Sequence, residues 1–194
     1  MLLSQPERLL SFEVTTAVRM AYADPPYIGQ AQKHYSHDPQ CAEVDHGALI
    51  DRLCAEYPDG WALSCSSPSL REILPLTPPQ VRVAAWVKPF ASFKPGVNPA
   101  YAWEPVIFHG GRKKRRRTEP TVRDWVAVGI TLKRGLSGTK PDPFSFWLFS
   151  LMGLIPGDTL DDLFPGSGAV SRAWDLYCGR GISTAAVQQT MEHY

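Results

Sequence analysis

Thr159-Leu160-Asp161-Asp162-Leu163-Phe164-Pro165-Gly166-Ser167-Gly168 reads as a strand over 159–164, a glycine-rich turn, and the start of a helix over about 169–177. Glycine in such a turn lets a ligand approach the backbone closely. The free amides at the helix start attract a carboxylate or another polar group. The stretch is neither a Walker loop nor a full G-x-G-x-x-G, so a nucleoside triphosphate is not favoured. A pair of glycines alone also occurs in many tight turns. What makes this one informative is its context: an acidic residue and an aromatic ring lead into Gly-Ser-Gly directly after an apolar strand.

Working outward, the same kind of unit recurs. Upstream, Pro143 to Leu154 is a helix with Phe144, Trp147, Leu148, Leu151 and Met152 on one side. Glu104–Phe108 and Trp125–Ile130 are strands, and 89–100, with three prolines, is an irregular loop. Val81–Val87 and Trp61–Cys65 are strands, with a helix from Ser67-Pro68 through Leu74 between them. A helix begins at Asp45, with Leu49, Ile50, Leu53, Cys54 and Tyr57 at helical spacing, and Pro58-Asp59-Gly60 stops it. Residues 28–44 form a long polar loop, and Phe12–Ala23 is a buried strand that ends at Asp24, because Pro25 and Pro26 have no amide hydrogen for a ladder. After Gly179 a final short helix is expected. No internal repeat or linker interrupts the series. Strands alternating with helices predict an α/β fold with a largely parallel sheet, in one domain over 1–194.

Composition bounds the chemistry. The 194 residues are 44% hydrophobic and 20% charged, which excludes a disordered chain. Eighteen prolines and 15 glycines imply a loop-rich fold without a collagen-like period. No apolar run reaches the ~18 residues of a membrane helix, and MLLSQPERLL lacks the basic region and apolar core of a secretory signal. Cys41, Cys54, Cys65 and Cys178 show no C-x-x-C spacing and read as reduced thiols of a cytoplasmic protein. His34, His37 and His46 have no metal-ligand spacing, so no metal is expected.

The net charge of +1 hides an asymmetry. Arg112, Lys113, Lys114, Arg115, Arg116 and Arg117 are an unbroken basic run, and the rest of the chain carries about −5. One concentrated cationic loop on an otherwise even domain suggests local contact with a polyanion, and reads equally as a solvated loop.

A second loop carries chemistry. Tyr22-Ala23-Asp24-Pro25-Pro26-Tyr27 lies at the carboxyl end of a strand, where α/β sheets place ligands. Asp24 and the Pro25 carbonyl can accept two hydrogen bonds from one planar NH2 group, and Tyr27 can stack on the heterocycle that bears it. The bland alternative is a proline-rich turn with a capping Asp.

Taken together these stretches resemble a family. The tetrad Asp24-Pro25-Pro26-Tyr27 is similar to the DPPY motif of amino-methyltransferases that act on exocyclic amines of nucleic-acid bases. Asp162-Leu163-Phe164-Pro165-Gly166-Ser167-Gly168 looks like their S-adenosylmethionine (SAM) loop, D-x-F-x-G-x-G, and Thr139-Lys140-Pro141 before the next helix looks like the motif preceding it. Tetrad first and SAM loop last resembles the permuted, β-type arrangement, with motifs spanning residues 22–168. The resemblance implies a Rossmann-like SAM-dependent methyltransferase fold, a mostly parallel sheet flanked by helices, and methyl transfer to the N6 amine of adenine in DNA. It places Asp24, Pro25, Pro26 and Tyr27 in catalysis. It places Tyr22, Lys140, Pro141, Asp162, Phe164, Gly166, Ser167 and Gly168 at the cofactor, with Asp162 near the methionine ammonium and Lys140 on the methionine carboxylate.

It also implies a flipped-out base and a bacterial or bacteriophage setting. The alternatives are an RNA adenine or cytosine-N4 enzyme, or a catalytically silent nucleic-acid-binding subunit. The family's large recognition domain has no counterpart: a short basic insertion at about 109–124 stands in its place, with Arg112 to Arg117 on phosphates and a homodimer or partner subunit supplying sequence choice. The family's ribose-binding acid is also missing, because Cys178-Gly179-Arg180-Gly181-Ile182-Ser183-Thr184 holds no carboxylate. Tyr101 and Trp103 read as core residues before base-pocket residues, and Lys88 and Lys94 as nucleic-acid contacts or solvated surface.

Overall fold

The computed structural model describes residues 16–29, 44–89, 96–112, 121–130 and 139–180. Six strands, β1 (Arg19–Ala23), β2 (Gly60–Ser64), β3 (Arg82–Val87), β4 (Trp103–Gly110), β5 (Trp125–Ala127) and β6 (Thr159–Asp162), form one sheet in the order β5-β3-β4-β2-β1-β6. β1 pairs parallel with β2 and β6, and β3 with β5, while β4 runs antiparallel to both β2 and β3. The sheet is therefore mixed but mostly parallel. The antiparallel strand was not foreseen, since nothing local to an apolar run tells which way its neighbours will point.

Helices cover both faces. The alternation of the strands sends Met20, Tyr22, Ala62, Trp86, Val106 and Phe108 to one face. There they meet α3 (Asp142–Met152) and α4 (Ala169–Tyr177) through Phe144, Leu148, Phe149, Ala173 and Trp174. Ala21, Ala23, Trp61, Leu63 and Ile107 point the other way, onto α1 (His46–Glu56) and the short α2 (Leu70–Ile73). Asp45 caps α1 by accepting from the Ala48 amide at 3.0 Å, as its place before the apolar repeat predicts. α2 continues as one 3-10 turn, Leu74–Leu76, where Pro75 breaks the α-helical ladder. α3 ends on Gly153, whose φ of +70 is the left-handed helix stop that glycine adopts without strain.

α4 occupies the range the sequence predicts. Nearly all of the long polar loop (30–43), the start of the first strand (12–15) and the expected last helix (181–194) lie outside the described residues, as do Cys41, His34, His37, Lys94 and Lys113 to Arg117. Among the described residues, no helix is long and apolar enough to cross a membrane.

Candidate active site

The sheet brings the two chemistry-bearing loops together. β1 and β6 are neighbours, with Tyr22 opposite Asp162, and the Leu163 amide donates to the Tyr22 carbonyl at 2.9 Å. Asp24 and the glycine turn therefore leave adjacent parallel strands at the same end of the sheet. The third stretch joins them. Thr139 Oγ1 lies 3.5 Å from Ser167 Oγ, and Lys140 Nζ lies 2.9 and 3.0 Å from the two oxygens of Asp24.

On the tetrad side, Asp24 is largely buried, its side chain 20% exposed. Burial pushes its carboxyl above the ordinary range. The Lys140 ammonium works against that shift, and the nearby Glu104 charge adds to it. Burial pushes the Tyr27 phenol up as well, with the Asp24 and Glu104 charges in the same direction, and its hydroxyl donates to Glu104. Pro25 is buried, and Pro26 and Tyr27 are half-buried at the lip. Tyr22 is core: its ring is buried, packs against Phe144, and its hydroxyl shares a 2.8 Å hydrogen bond with Ser64.

Lys140 pairs inside the protein. Its ammonium is buried between Asp24 and Glu104, 3.4 Å from the latter, and faces the rings of Trp86 and Phe144 at 5.3 and 5.7 Å. Burial disfavours its charge, but the two carboxylates more than compensate and raise its pKa. An ammonium this deep needs anions, and they come from the tetrad and from β4. Pro141 precedes α3, and its carbonyl accepts from the Ser145 amide in the first turn.

On the glycine-turn side, Asp162 accepts from Ser171 Oγ at 3.1 Å through Oδ2, while Oδ1 is buried with no partner in the protein. Burial raises its carboxyl, and the bonds from Ser171 and the Phe164 amide oppose the shift. Gly166 and Gly168 have φ of +48 and +71, and a Cβ on Gly168 would lie 3.1 Å from Arg172 Nη1. Phe164 is half-buried. Arg172 also donates to the Ser167 carbonyl at 2.6 Å, which braces the turn. An unpartnered anionic oxygen beside a turn that only glycine fits suits a ligand carrying an ammonium. The residues present therefore fit the amino-acid end of SAM. Beyond β6 the described residues supply no further strand to carry the ribose acid.

Arg112 is placed at the other end of the sheet. Its guanidinium grips Asp158 at 2.7 and 2.9 Å and the Thr16 and Gly153 carbonyls at 3.2 Å, at the amino ends of β1 and β6. The five residues of β1 separate that end of the sheet from Asp24. Its charge is thus committed inside the protein. Tyr101 and Trp103 also differ from expectation. They are 57% and 38% exposed and, with Ser67 and the 96–100 segment, line an open cavity of about 400 Å3. They lie at and just before the start of β4, outside its buried centre.

Glu104 and Lys88 were not singled out by the sequence as site residues together. Glu104 bonds both Lys88 and Lys140, and the cation pair holds it below the usual carboxylate range despite its burial. The available signal was an acid in phase with Val106 and Phe108 on an apolar strand, hence pointing inward.

An α/β/α sheet with paired loops at its carboxyl edge is the SAM-methyltransferase fold. The solved structure of M1.HpyAVI in complex with SAM superposes with a TM-score of 0.56 at 17% identity, covering 84% of this chain and 79% of that one. Another structure of M1.HpyAVI gives 0.53 at 16% identity, covering 91% and 86%. At this identity the likeness is one of fold. No protein-family model matches the chain, and no curated protein matches it.

Proposed function

We propose that the protein transfers the methyl group of SAM to the exocyclic N6 amine of adenine in DNA, as a permuted DPPY-type enzyme. The observation that carries this reading is the convergence of Asp24 and the Gly166-Ser167-Gly168 turn at one edge of adjacent strands, tied by Thr139 and Lys140. When bound, SAM supplies an electrophilic methyl group whose carbon–sulfur bond breaks as the new carbon–nitrogen bond forms.

The protein's own work is positioning and charge stabilisation. An aryl amine is a weak nucleophile because its lone pair is delocalised into the ring. Hydrogen bonds from N6 to Asp24 and the Pro25 carbonyl favour a pyramidal nitrogen and localise that pair. Tyr27 stacks on the flipped base and offsets part of the unstacking cost, with stacking worth about 1–3 kcal/mol. After transfer the surplus proton leaves the nitrogen for Asp24 or water. On the cofactor side, Asp162 Oδ1 holds the methionine ammonium, and Phe164 and the glycine turn line the ligand.

The test is tritiated methyl transfer from SAM to unmodified DNA, with nucleoside analysis of the product. Labelled N6-methyladenine is expected from the wild type. Asp24→Ala should lose transfer and keep DNA binding, and equal activity of the two proteins rejects the role of Asp24. One observation favours a second reading, a silent nucleic-acid-binding subunit: the missing ribose acid beside a free β6 edge among the described residues. Calorimetric titration separates the two, since the silent subunit binds no SAM.

A further inference from the structure

Asp24 cannot serve an incoming amine while both its oxygens hold the Lys140 ammonium, which lies 2.9 and 3.0 Å away. A carboxylate has lone pairs to spare, but an ammonium within 3.0 Å of both oxygens competes with an amine for them. Nor can Lys140 retreat to solvent. Its side chain is 6% exposed and is packed against Trp86 and Phe144. A buried ammonium that loses its anion is strongly disfavoured.

The alternative anion is already in place. Glu104, 15% exposed, has Oε2 3.4 Å from the same ammonium, a long contact that a small movement would shorten. Its other oxygen holds Lys88, and the Tyr27 hydroxyl also donates to it. Two carboxylates and two ammonium groups form one buried set with no net charge. Lys140 can therefore pass from Asp24 to Glu104 and stay paired with an anion, while the amine's hydrogen bonds take its place on Asp24.

We infer that Glu104 is a positioning residue: it takes up the Lys140 ammonium when the target amine binds Asp24, and it anchors the Tyr27 hydroxyl beside the base. This inference rests on the methyl-transfer reading and adds to it a residue outside all three recognised stretches. It explains why a lysine should sit on the carboxylate that needs to be free. Before substrate arrives, Lys140 keeps Asp24 ionised against the pull of burial. Once the amine is bound, Glu104 keeps the lysine out of its way.

Glu104→Gln tests it, with Glu104→Asp and Lys140→Gln beside it. Glutamine keeps the volume and a carbonyl acceptor but not the charge, so Lys140 stays locked on Asp24. A reacting group misplaced by ~1 Å costs about 10²-fold, and a fall in kcat of about that size is expected, with SAM and DNA dissociation constants nearly unchanged. Glu104→Asp should recover part of the loss.

The titration of Asp24, followed by carboxyl carbon NMR in the DNA-free protein, separates this from simple damage to the fold. The groups facing Asp24 are Lys140 before α3, Glu104 on β4, Lys88 after β3, Tyr22 on β1, Tyr27 in its own loop, Cys65 after β2 and Asp162 on β6. Loss of the Glu104 charge removes an anion and shifts the Asp24 titration to lower pH. Loss of the Lys140 charge removes a cation and shifts it to higher pH. Opposite shifts with a fallen kcat in Glu104→Gln support the inference. Wild-type kcat in Glu104→Gln, or a lowered kcat with an unmoved titration, overturns it while leaving the methyl-transfer reading intact. A wild-type protein without methyl transfer removes both.

Discussion

Asp162 holds one carboxylate oxygen on Ser171 and keeps the other, Oδ1, buried without a protein partner. A buried acceptor left unpaired costs about 1–3 kcal/mol, so the folded protein carries a local penalty at this point. Such penalties are retained at ligand sites, where the bound group repairs them. The two consequences differ in size. Asp162→Ala removes the unpaired oxygen but also the acceptor of Ser171 Oγ, effects that oppose, so the melting temperature of the ligand-free protein should change little in calorimetry. The same change removes the partner of a bound ammonium. A hydrogen bond between charged groups contributes about 1.5–3 kcal/mol, so SAM affinity should fall about 10- to 100-fold by titration calorimetry. Unchanged affinity would remove Asp162 from the cofactor site. Asp24 sits in a related position: its raised pKa means that the anion needed for catalysis is lost at a higher pH than for an ordinary aspartate.

Three strand ends are pinned by the Arg112–Asp158 pair, of which the sequence singles out only Arg112, and for phosphate. The Asp158 side chain, 1% exposed, accepts from the Val18 and Ile155 amides at 3.0 and 2.9 Å and from Arg112 through both oxygens. β1, β4 and β6 are tied together there, far along the chain from one another. Arg112→Ala leaves that carboxylate buried and short of its cation, a loss of about 3 kcal/mol. Thermal melting should drop by roughly 6–12 °C for a chain of this size. A melting curve that stays in place while DNA binding weakens would return Arg112 to the phosphate-binding run.

The same pair shows why some of the site was legible and some was not. The glycine turn, the tetrad and the Thr139-Lys140-Pro141 stretch are local: prolines, glycines and an apolar strand identify themselves by spacing, and the structure sets all three side by side. The partners of Arg112, Lys140 and Tyr22 are 46, 116 and 42 residues distant in the chain. No local pattern says which anion a lysine will meet, so Lys140 was assigned by resemblance and Glu104 was passed over. Tyr101 and Trp103 fail for a related reason, since their exposure depends on where the buried centre of β4 stops.

The placement of charge over the whole molecule separates grip from chemistry. Arg112 stands at the amino ends of the parallel strands and Asp24 just past the carboxyl end of β1, about 17 Å of strand away. With Arg112 committed to Asp158, at most Lys113, Lys114, Arg115, Arg116 and Arg117 remain for phosphate. Five phosphate contacts give a slope of log affinity against log salt of about −4.5, since each contributes about 0.9. Contacts of this kind position a duplex without reading its sequence. Replacing Arg115, Arg116 and Arg117 with alanine should therefore flatten the slope to about −1.8 and weaken DNA binding most at low salt. At saturating DNA, kcat should not move, because contacts that only position the duplex take no part in the transfer. Fluorescence anisotropy over a salt series, paired with saturating methyl-transfer rates, measures both halves. A slope that the triple change leaves as it was makes the run solvated surface, and a fallen kcat makes it part of the catalytic edge.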